Sequence, residues 1–318
     1  MNLHTEIRLL TLSGPGIAML LAMVFYGLWM YQRKERYLLH IIAAFLLYAV
    51  GLLMQILKVP ADYGLNALVT AFVYLSAMVF LCQGVLFRHA RKMPYVAQFI
   101  LISFVMIGLY YFYYVDKNIL ARIYLLNFGC GLIILMVMPA LKYLKESKLI
   151  DRILYWTFFI FSLSFFVRTP ITLLIPSGDS LKERFSSSTF WLVLQVSLLF
   201  FVVFFAVVLM IVVMHDHVER LRRERDEDVL TGCLNRRGFF SAIESRIVEI
   251  SSRDHFVLLV DVDYFKAIND THGHAVGDEV LHLFAKTLRE ALGPKDLIGR
   301  IGGEEFAILP KCAERLVV

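Results

Sequence analysis

Charge is scarce in this sequence. Only 19% of its 318 residues are charged while 59% are hydrophobic, and the mean hydropathy of +0.68 is far above that of a water-soluble domain. A single soluble core is thereby excluded. Cysteine is equally sparse: Cys82 and Cys130 sit inside long apolar runs, and Cys233 and Cys312 lie far apart in a polar segment. With no CxxC pair and no Cys/His spacing among them, the four form neither a disulfide framework nor a zinc site and read as reduced thiols. The few charges are unevenly spread, with 21 basic and 12 acidic side chains in residues 1–226 against 11 and 15 in residues 227–318. Net charges of +9 and −4 fit two parts in different solvents. They do not fit a nucleic-acid binder with one basic face.

Seven long apolar stretches are present, at 12–31, 37–57, 65–87, 95–115, 119–141, 153–175 and 189–214. Each is close to the roughly 20 residues that cross about 30 Å of hydrocarbon at 1.5 Å per residue. No small-residue cleavage site follows the first, so it is expected to be a retained helix. Lys and Arg concentrate in alternate linkers: Arg33, Lys34 and Arg36; Arg88, Arg91 and Lys92; Lys142, Lys145, Lys148 and Arg152; Arg220, Arg222, Arg223 and Arg225. Against these fourteen, the remaining linkers hold only Lys58, Lys117, Lys182 and Arg184. Basic residues stay on the cytoplasmic side, which predicts an external N-terminus and a cytoplasmic C-terminal segment. The linkers are too short for an extracellular domain, so any external signal ligand would be read by the helices themselves, within membrane lipid.

Several polar residues interrupt these stretches, among them Gln55, Gln83, Asn127, Arg168 and Gln195. Interhelical hydrogen bonding suits the Gln and Asn side chains. Arg168, followed by Thr169 and Pro170, marks either a ligand pocket in a kinked helix or a side chain snorkelling to the headgroups.

Residues 215–227 read as a charged helical connector. Val218, Leu221, Arg225 and Asp228 share coiled-coil spacing, but only the first two are apolar. His215 and His217 read as surface residues. Beyond 228 the periodicity becomes that of a mixed α/β domain. A helix is expected over 235–252, with Phe239, Phe240, Ile243, Ile247 and Ile250 on one face. A strand over 256–262 ends in acid, helices follow at 265–270 and 278–292, and strands at 297–301 and 306–309 flank Gly302-Gly303-Glu304-Glu305. This order is the first part of a ferredoxin-like βαββαβ plan.

That plan gathers acids. Asp261 and Asp263 stand at the carboxyl end of the first strand, two apart and so on one face, with Glu304 at the tip of a neighbouring hairpin. Clustered carboxylates repel, and hard oxygen ligands suit Mg²⁺, which is commonly held by one or two acids plus phosphate oxygens. Gly302 and Gly303 let the backbone approach a phosphate, and Lys266 could neutralise its charge. Metal-assisted phosphoryl transfer is the chemistry this set suits.

Gly302-Gly303-Glu304-Glu305-Phe306 resembles the GGDEF/GGEEF signature of diguanylate cyclases, which condense two GTP molecules into cyclic di-GMP. Three further segments match in order and spacing: Asp228 to Arg237 (DVLTGCLNRR), Asp261 to Asp270 (DVDYFKAIND), and His272-Gly273-His274 with Gly277-Asp278. The resemblance covers about the last 92 residues and implies a palm-type fold. By position it implies that Asp261, the Val262 carbonyl and Glu304 bind Mg²⁺, with Mn²⁺ as the alternative. It also implies that Glu304 assists deprotonation of the attacking 3′-hydroxyl and that Lys266 contacts the triphosphate. Asn269 and Asp278 would read guanine, and His274 would lie near base and ribose. Roles for Asp263, Glu305 and His272 stay open between structure and function, and Arg236 and Arg237 are expected to tie the domain's opening turn to nearby acids. Each domain of this family holds one GTP, so a homodimer is implied.

Two departures stand out. Gly293-Pro294-Lys295-Asp296 occupies the place of the family's Arg-x-x-Asp inhibition motif, so glycine replaces the arginine whose bidentate grip would hold product, and weak or absent feedback is expected. The chain also stops soon after the hairpin, where family members continue with a helix and a strand. Such a loss leaves the first strand at an edge, and retention of the motifs favours a fragment over a crippled domain. The resulting expectation is a seven-helix membrane module at 1–214, a connector at 215–227 and an α+β GGDEF domain, incomplete at its C-terminus, at 228–318. The whole is a multi-pass protein of a bacterial inner membrane. The expected activity is diguanylate cyclase, with a catalytically silent receptor that binds GTP or a partner as the alternative.

Overall fold

The computed structural model describes residues 3–33, 35–170, 189–249, 256–293 and 296–310, in two compact units, Met1–Val213 and Met214–Val318. In the first unit the apolar stretches become α1 (Leu3–Tyr31), α2 (Tyr37–Leu57), α3 (Tyr63–Arg88), α4 (Tyr95–Tyr114), α5 (Ile119–Leu135) and α6 (Leu149–Arg168). α7 (Thr189–Asp226) begins there and runs on as one helix through most of the connector. Side chains cap two of these starts: Asp62 accepts from Leu65 N–H at 2.7 Å, and Asn118 from Ala121 N–H at 3.0 Å.

The fifth stretch is not one straight helix. α5 ends at Leu135, and a 3-10 helix over Met138–Glu146 continues at 51° to it. Pro139 explains the break, because proline lacks the N–H to bond back and disfavours helical backbone in the residue before it. Six described helices are therefore long and apolar enough to cross a membrane, or seven if the bent pair is one span. The end of the sixth expected stretch, 171–175, lies outside the described residues.

Close helix approach in this unit depends on small residues and on a few polar bonds. A methyl group at Gly131 of α5 would stand 2.5 Å from the ring of Phe166 on α6. Ser162 donates to the Gly131 carbonyl at 2.9 Å across the same contact. Phe205 stacks on Phe158 and Phe161 at 5.4 and 5.5 Å, which seats α7 on α6. At the far end of α6, Asp151 accepts from Arg88 of α3 at 2.9 Å and from Ser147 at 3.2 Å. Gln55 accepts from Tyr74 and Gln83 donates to Tyr95, as interhelical bonding required, while the side chain of Gln195 lies outside the described part. Arg168 donates across to Asn127 of α5 at 2.9 Å.

The second unit holds a four-stranded sheet of β1 (Leu234–Asn235), β2 (Leu258–Asp261), β3 (Leu297–Arg300) and β4 (Glu305–Leu309), ordered β1-β3-β4-β2. β1 runs parallel to β3, and the other pairs are antiparallel. Three helices accompany it among the described residues: α8 (Arg236–Glu249), α9 (Phe265–His272) and α10 (His274–Ala291). Alternation along β4 divides the core. Phe306 points to Leu281 and Ala285 of α10, whereas Ala307 and Leu309 meet Phe239 of α8 on the opposite face.

Several boundaries differ from the sequence reading. β1 takes Leu234 and Asn235, the latter expected in the helix, because those two residues pair with Gly299 and Arg300. α10 starts at His274, earlier than the expected 278, since only Gly273 (φ +82°) separates it from α9. β2 is shorter than 256–262, and residues 250–252 of the expected helix lie outside the described residues. Cys82, Cys130 and Cys233 are buried free thiols.

Candidate nucleotide and metal site

The site is built where β2 ends. In the ladder with β4, Val260 stands opposite Phe306 and Asp261 opposite Glu305. Directly opposed residues share a face, with Cα atoms about 4.5–5.5 Å apart. Val260 and Phe306 face α10, so Asp261 and Glu305 project together on the other face, and like charges so placed repel. Neither is in an ion pair among the described residues. Glu304, the sequence candidate, is the next residue toward the hairpin tip and is half-buried. Register thus adds Glu305, which the sequence left open, to the neighbourhood of Asp261.

Among the described residues no three His, Cys, Asp or Glu side chains converge into a metal-binding group. A cation at this place would have oxygen donors from Asp261, Glu304 and the Val262 carbonyl, and would complete its shell with water and phosphate, which is the Mg²⁺ habit. The uncompensated carboxylates at the end of the ladder fit that donor set. Val262 has two jobs here. Its side chain packs against the Phe306 and Leu281 cluster, while its carbonyl accepts from Phe265 N–H at 3.3 Å and keeps a second lone pair free. Tyr264 takes the chain from β2 into α9 in left-handed backbone, at φ +59°, a conformation disfavoured for a bulky residue.

α9 carries the next two candidates. Lys266 is exposed in its first turn, and Asn269 follows one turn later, about 4.5 Å along the axis. The Asn269 Oδ1 is buried with no hydrogen-bond partner among the described residues. It lies so close to Gly277 of α10 that a methyl there would collide with it. That contact brings Asn269 beside Asp278, the residue after Gly277, and His274 stands one turn earlier on α10. Both are exposed. From β2 outward the candidates therefore follow the order acids, lysine, then amide with carboxylate.

The two tip glycines are not equivalent. At Gly302 a methyl would meet the end of the exposed Glu305 side chain, which would have to swing aside. At Gly303 nothing lies within 4 Å of an added Cβ, and the backbone is not left-handed. No contact inside the unit demands glycine there, and the space stays open to an approaching group.

Arg300 is the functional candidate that sequence reasoning missed. Its Nε and Nη2 donate to the Gly303 carbonyl at 3.0 and 2.8 Å, and its Nη1 donates to Asp228 at 3.1 Å. Asp228 also accepts from the Thr231 N–H at 2.9 Å and hydroxyl at 2.7 Å. Burial pushes the Asp228 carboxyl up, but the Thr231 bonds and the Arg300 charge outweigh it and hold the group below the usual carboxylate range. Arg300 thus ties the opening turn to the hairpin tip, while Arg237 lies within electrostatic reach of Asp226. The signal was the Asp-x-x-Thr turn, whose side chains favour local backbone bonds, but its partner lies 72 residues away. In the departed inhibition motif, the Asp296 carboxylate accepts from Gly293 N–H at 2.6 Å, closing its own turn.

Residues 225–316 match the family described as "Diguanylate cyclase, GGDEF domain". Diguanylate cyclase DgcM of Escherichia coli K12 is 41% identical over 109 residues, covering 32% of this chain and 27% of that protein. Probable diguanylate cyclase DgcF of the same strain is 44% identical over 84 residues, covering 26% of each. Among solved structures, one described as a microbial GGDEF domain interacting with cyclic di-GMP is 41% identical, covering 30% of this chain and 62% of that one, with a TM-score of 0.27. The chain spans about a quarter of the length of these curated relatives. With the signature, the three accompanying segments and these relatives in agreement, the chain carries a GGDEF domain of the diguanylate cyclase family at residues 225–316.

Proposed function

We propose that this protein is a membrane-embedded diguanylate cyclase that joins two GTP molecules into cyclic di-GMP with release of two pyrophosphates. The observation that carries the reading is the end of the β2–β4 ladder, where Asp261 and Glu305 oppose each other beside the open tip at Gly303, within the segment that matches the family. The plan is that of a ferredoxin-like palm, whose central strands would be ordered as β2-β4-β3 are.

Asp261, Glu304 and the Val262 carbonyl would hold Mg²⁺ or Mn²⁺, which supplies charge neutralisation at the triphosphate when bound. The chain's own groups do the rest. Lys266 lies one turn from the acids and balances charge on the phosphates, while the clear space at Gly303 admits them to the backbone. Glu304 assists removal of the 3′-hydroxyl proton as that oxygen attacks the α-phosphorus of the other nucleotide. The Asp278 carboxylate accepts from guanine N1–H and the exocyclic amine, a donor pair adenine does not present. Asn269, whose Oδ1 has no partner among the described residues, offers a further acceptor to the base. Arg300 positions the tip by gripping the Gly303 carbonyl.

One domain holds one GTP, so closing the product ring needs two domains face to face. Val218 and Leu221, both exposed on α7, give the connector an apolar stripe for pairing. The excess of Lys and Arg in alternate linkers supports a cytoplasmic sheet unit in a bacterial inner-membrane protein. The test is product formation by the full chain in lipid nanodiscs supplied with GTP and Mg²⁺. Cyclic di-GMP that disappears in Glu304→Ala is the expected result. GTP binding without product in the unaltered chain overturns the cyclase in favour of a silent receptor.

A further inference from the structure

Among the polar features of the helical unit, none of which the cyclase reading uses, Arg168 lies deep in its surroundings and lacks a counter-charge among the described residues. Arg168 closes α6 with its side chain turned inward and its guanidinium 4.3 Å from the ring centroid of Phe165. One bond is made, from Nη2 to Asn127 Oδ1 of α5, and Asn127 is itself held by its Nδ2 bond to the Ile123 carbonyl at 2.8 Å. The donors on Nε and Nη1 are buried with no hydrogen-bond partner among the described residues. Tyr48 of α2 and Cys130 of α5 lie within electrostatic reach, and neither is negative near neutral pH. The acids whose side chains are described in this unit, Glu35, Asp62, Asp116 and Asp151, lie at helix ends or in linkers, and none bonds Arg168. An ionised guanidinium in a desolvated place, held in plane by a ring and an amide but lacking a counter-charge among the described residues, is costly unless something negative joins it.

We propose that Arg168 and Asn127 form a binding site for an anionic group, a carboxylate or a phosphate, within the helical unit. Guanidinium N–H groups match the oxygens of either group with charge-assisted bonds. Asn127 and Phe165 fix the fork in place before the ligand arrives. The source of the anion is a small solute or the headgroup of an anionic lipid, and the chemistry of recognition is the same. This inference stands on the helical unit alone and does not depend on cyclase activity.

The test uses the full chain with Cys233→Ala and Cys312→Ala, so that Cys82 and Cys130, both buried in the helical unit, are the reporting thiols. Thermal exposure of these thiols to a reactive dye is followed in phosphatidylcholine nanodiscs with chloride, inorganic phosphate or succinate at matched ionic strength, and separately in nanodiscs containing phosphatidylglycerol. At least one anion arm is expected to raise the melting point by on the order of 5 °C. That rise should vanish in Arg168→Gln and persist in Arg33→Gln. In chloride alone Arg168→Gln should melt no lower than the parent, because it removes an uncompensated charge. The inference is overturned if no arm stabilises the parent, if the variant keeps the full shift, or if Arg168→Gln melts lower by the same margin in every arm, which marks a purely structural pair. Should the single variant fail to insert, R168M/N127L, apolar at both positions, carries the same comparison.

Discussion

Phe99 in the helical unit and Val229 in the sheet unit are both apolar and both uncovered, with 72% and 99% of their surfaces exposed. Phe99 belongs to a row on α4 with Ile100, Phe104 and Ile107, all exposed, whereas Val229 stands singly in a polar turn. A contiguous outer face of that kind is a liability in water and the ordinary state of a helix in hydrocarbon. The contrast shows that apolar character does not report inside from outside in both units. Along β4 of the sheet unit it does, since alternate residues sort to α10 and α8. In the helical unit the inward faces are marked instead by glycines under aromatic rings and by isolated polar bonds, such as Gly131 beneath Phe166 and Ser162 on the Gly131 carbonyl.

The sharpest way to separate the units is at the ladder end. Asp261→Asn and Glu304→Ala should each lower cyclic di-GMP formation by at least about 10²-fold, while the melting of the intramembrane thiols stays unchanged. A parallel fall in both quantities breaks the separation. Next comes the pair of exposed residues. Phe99→Asp should cost about 2.5–3.5 kcal/mol of membrane insertion, seen as loss of protein from the membrane fraction, whereas Val229→Ser should alter stability by less than about 0.5 kcal/mol. Equal tolerance at both positions contradicts the placement of α4 in lipid.

Glycines give the third comparison. Gly131→Leu forces a side chain into the Phe166 ring and should destabilise the helical unit by about 1–3 kcal/mol, read from the same thiol melt. Gly303→Ala meets no protein atom within 4 Å and should leave folding intact while raising KM for GTP several-fold. A folding defect in Gly303→Ala would show that the tip glycine serves the hairpin and not a ligand.

The position of Asp261 was legible because it ends an uninterrupted apolar run, Phe256 to Val260, so that any pairing of that strand exposes it there. The expected helices and hairpin followed from the same periodicities. What could not be read were features fixed by contacts between distant segments. Leu234 and Asn235 are too few to show a strand period and pair only because β3 lies beside them. Glu305 gained its place from the register of β4, which the turn sets and composition does not. The bend after Leu135 was signalled by Pro139, yet a hydropathy reading runs straight through it, since both arms are apolar. Arg168 was seen as unusual, but its inward turn depends on Asn127, 41 residues earlier.

Arg300 and Asp228 supply the smallest and most discriminating effect. The pair is partly exposed, with side-chain exposures of 17% and 23%, so water screens its attraction. Its value lies in linking the opening turn to the Gly303 carbonyl. Because the folded state holds the Asp228 carboxyl below its unfolded value of about 3.9, the stability it contributes is fully present above that pH and is lost as pH falls through the folded value. Asp228→Asn should therefore flatten the acid limb of the sheet unit's stability while changing little at neutral pH, where the amide still accepts from Thr231. Arg300→Lys keeps charge near Asp228 but cannot span both acceptors. It should spare most of the acid limb and instead loosen the tip, read as faster hydrogen exchange at Gly302 and Gly303. An acid limb equally steep in Asp228→Asn would assign it to other carboxylates and leave Arg300 with the hairpin alone.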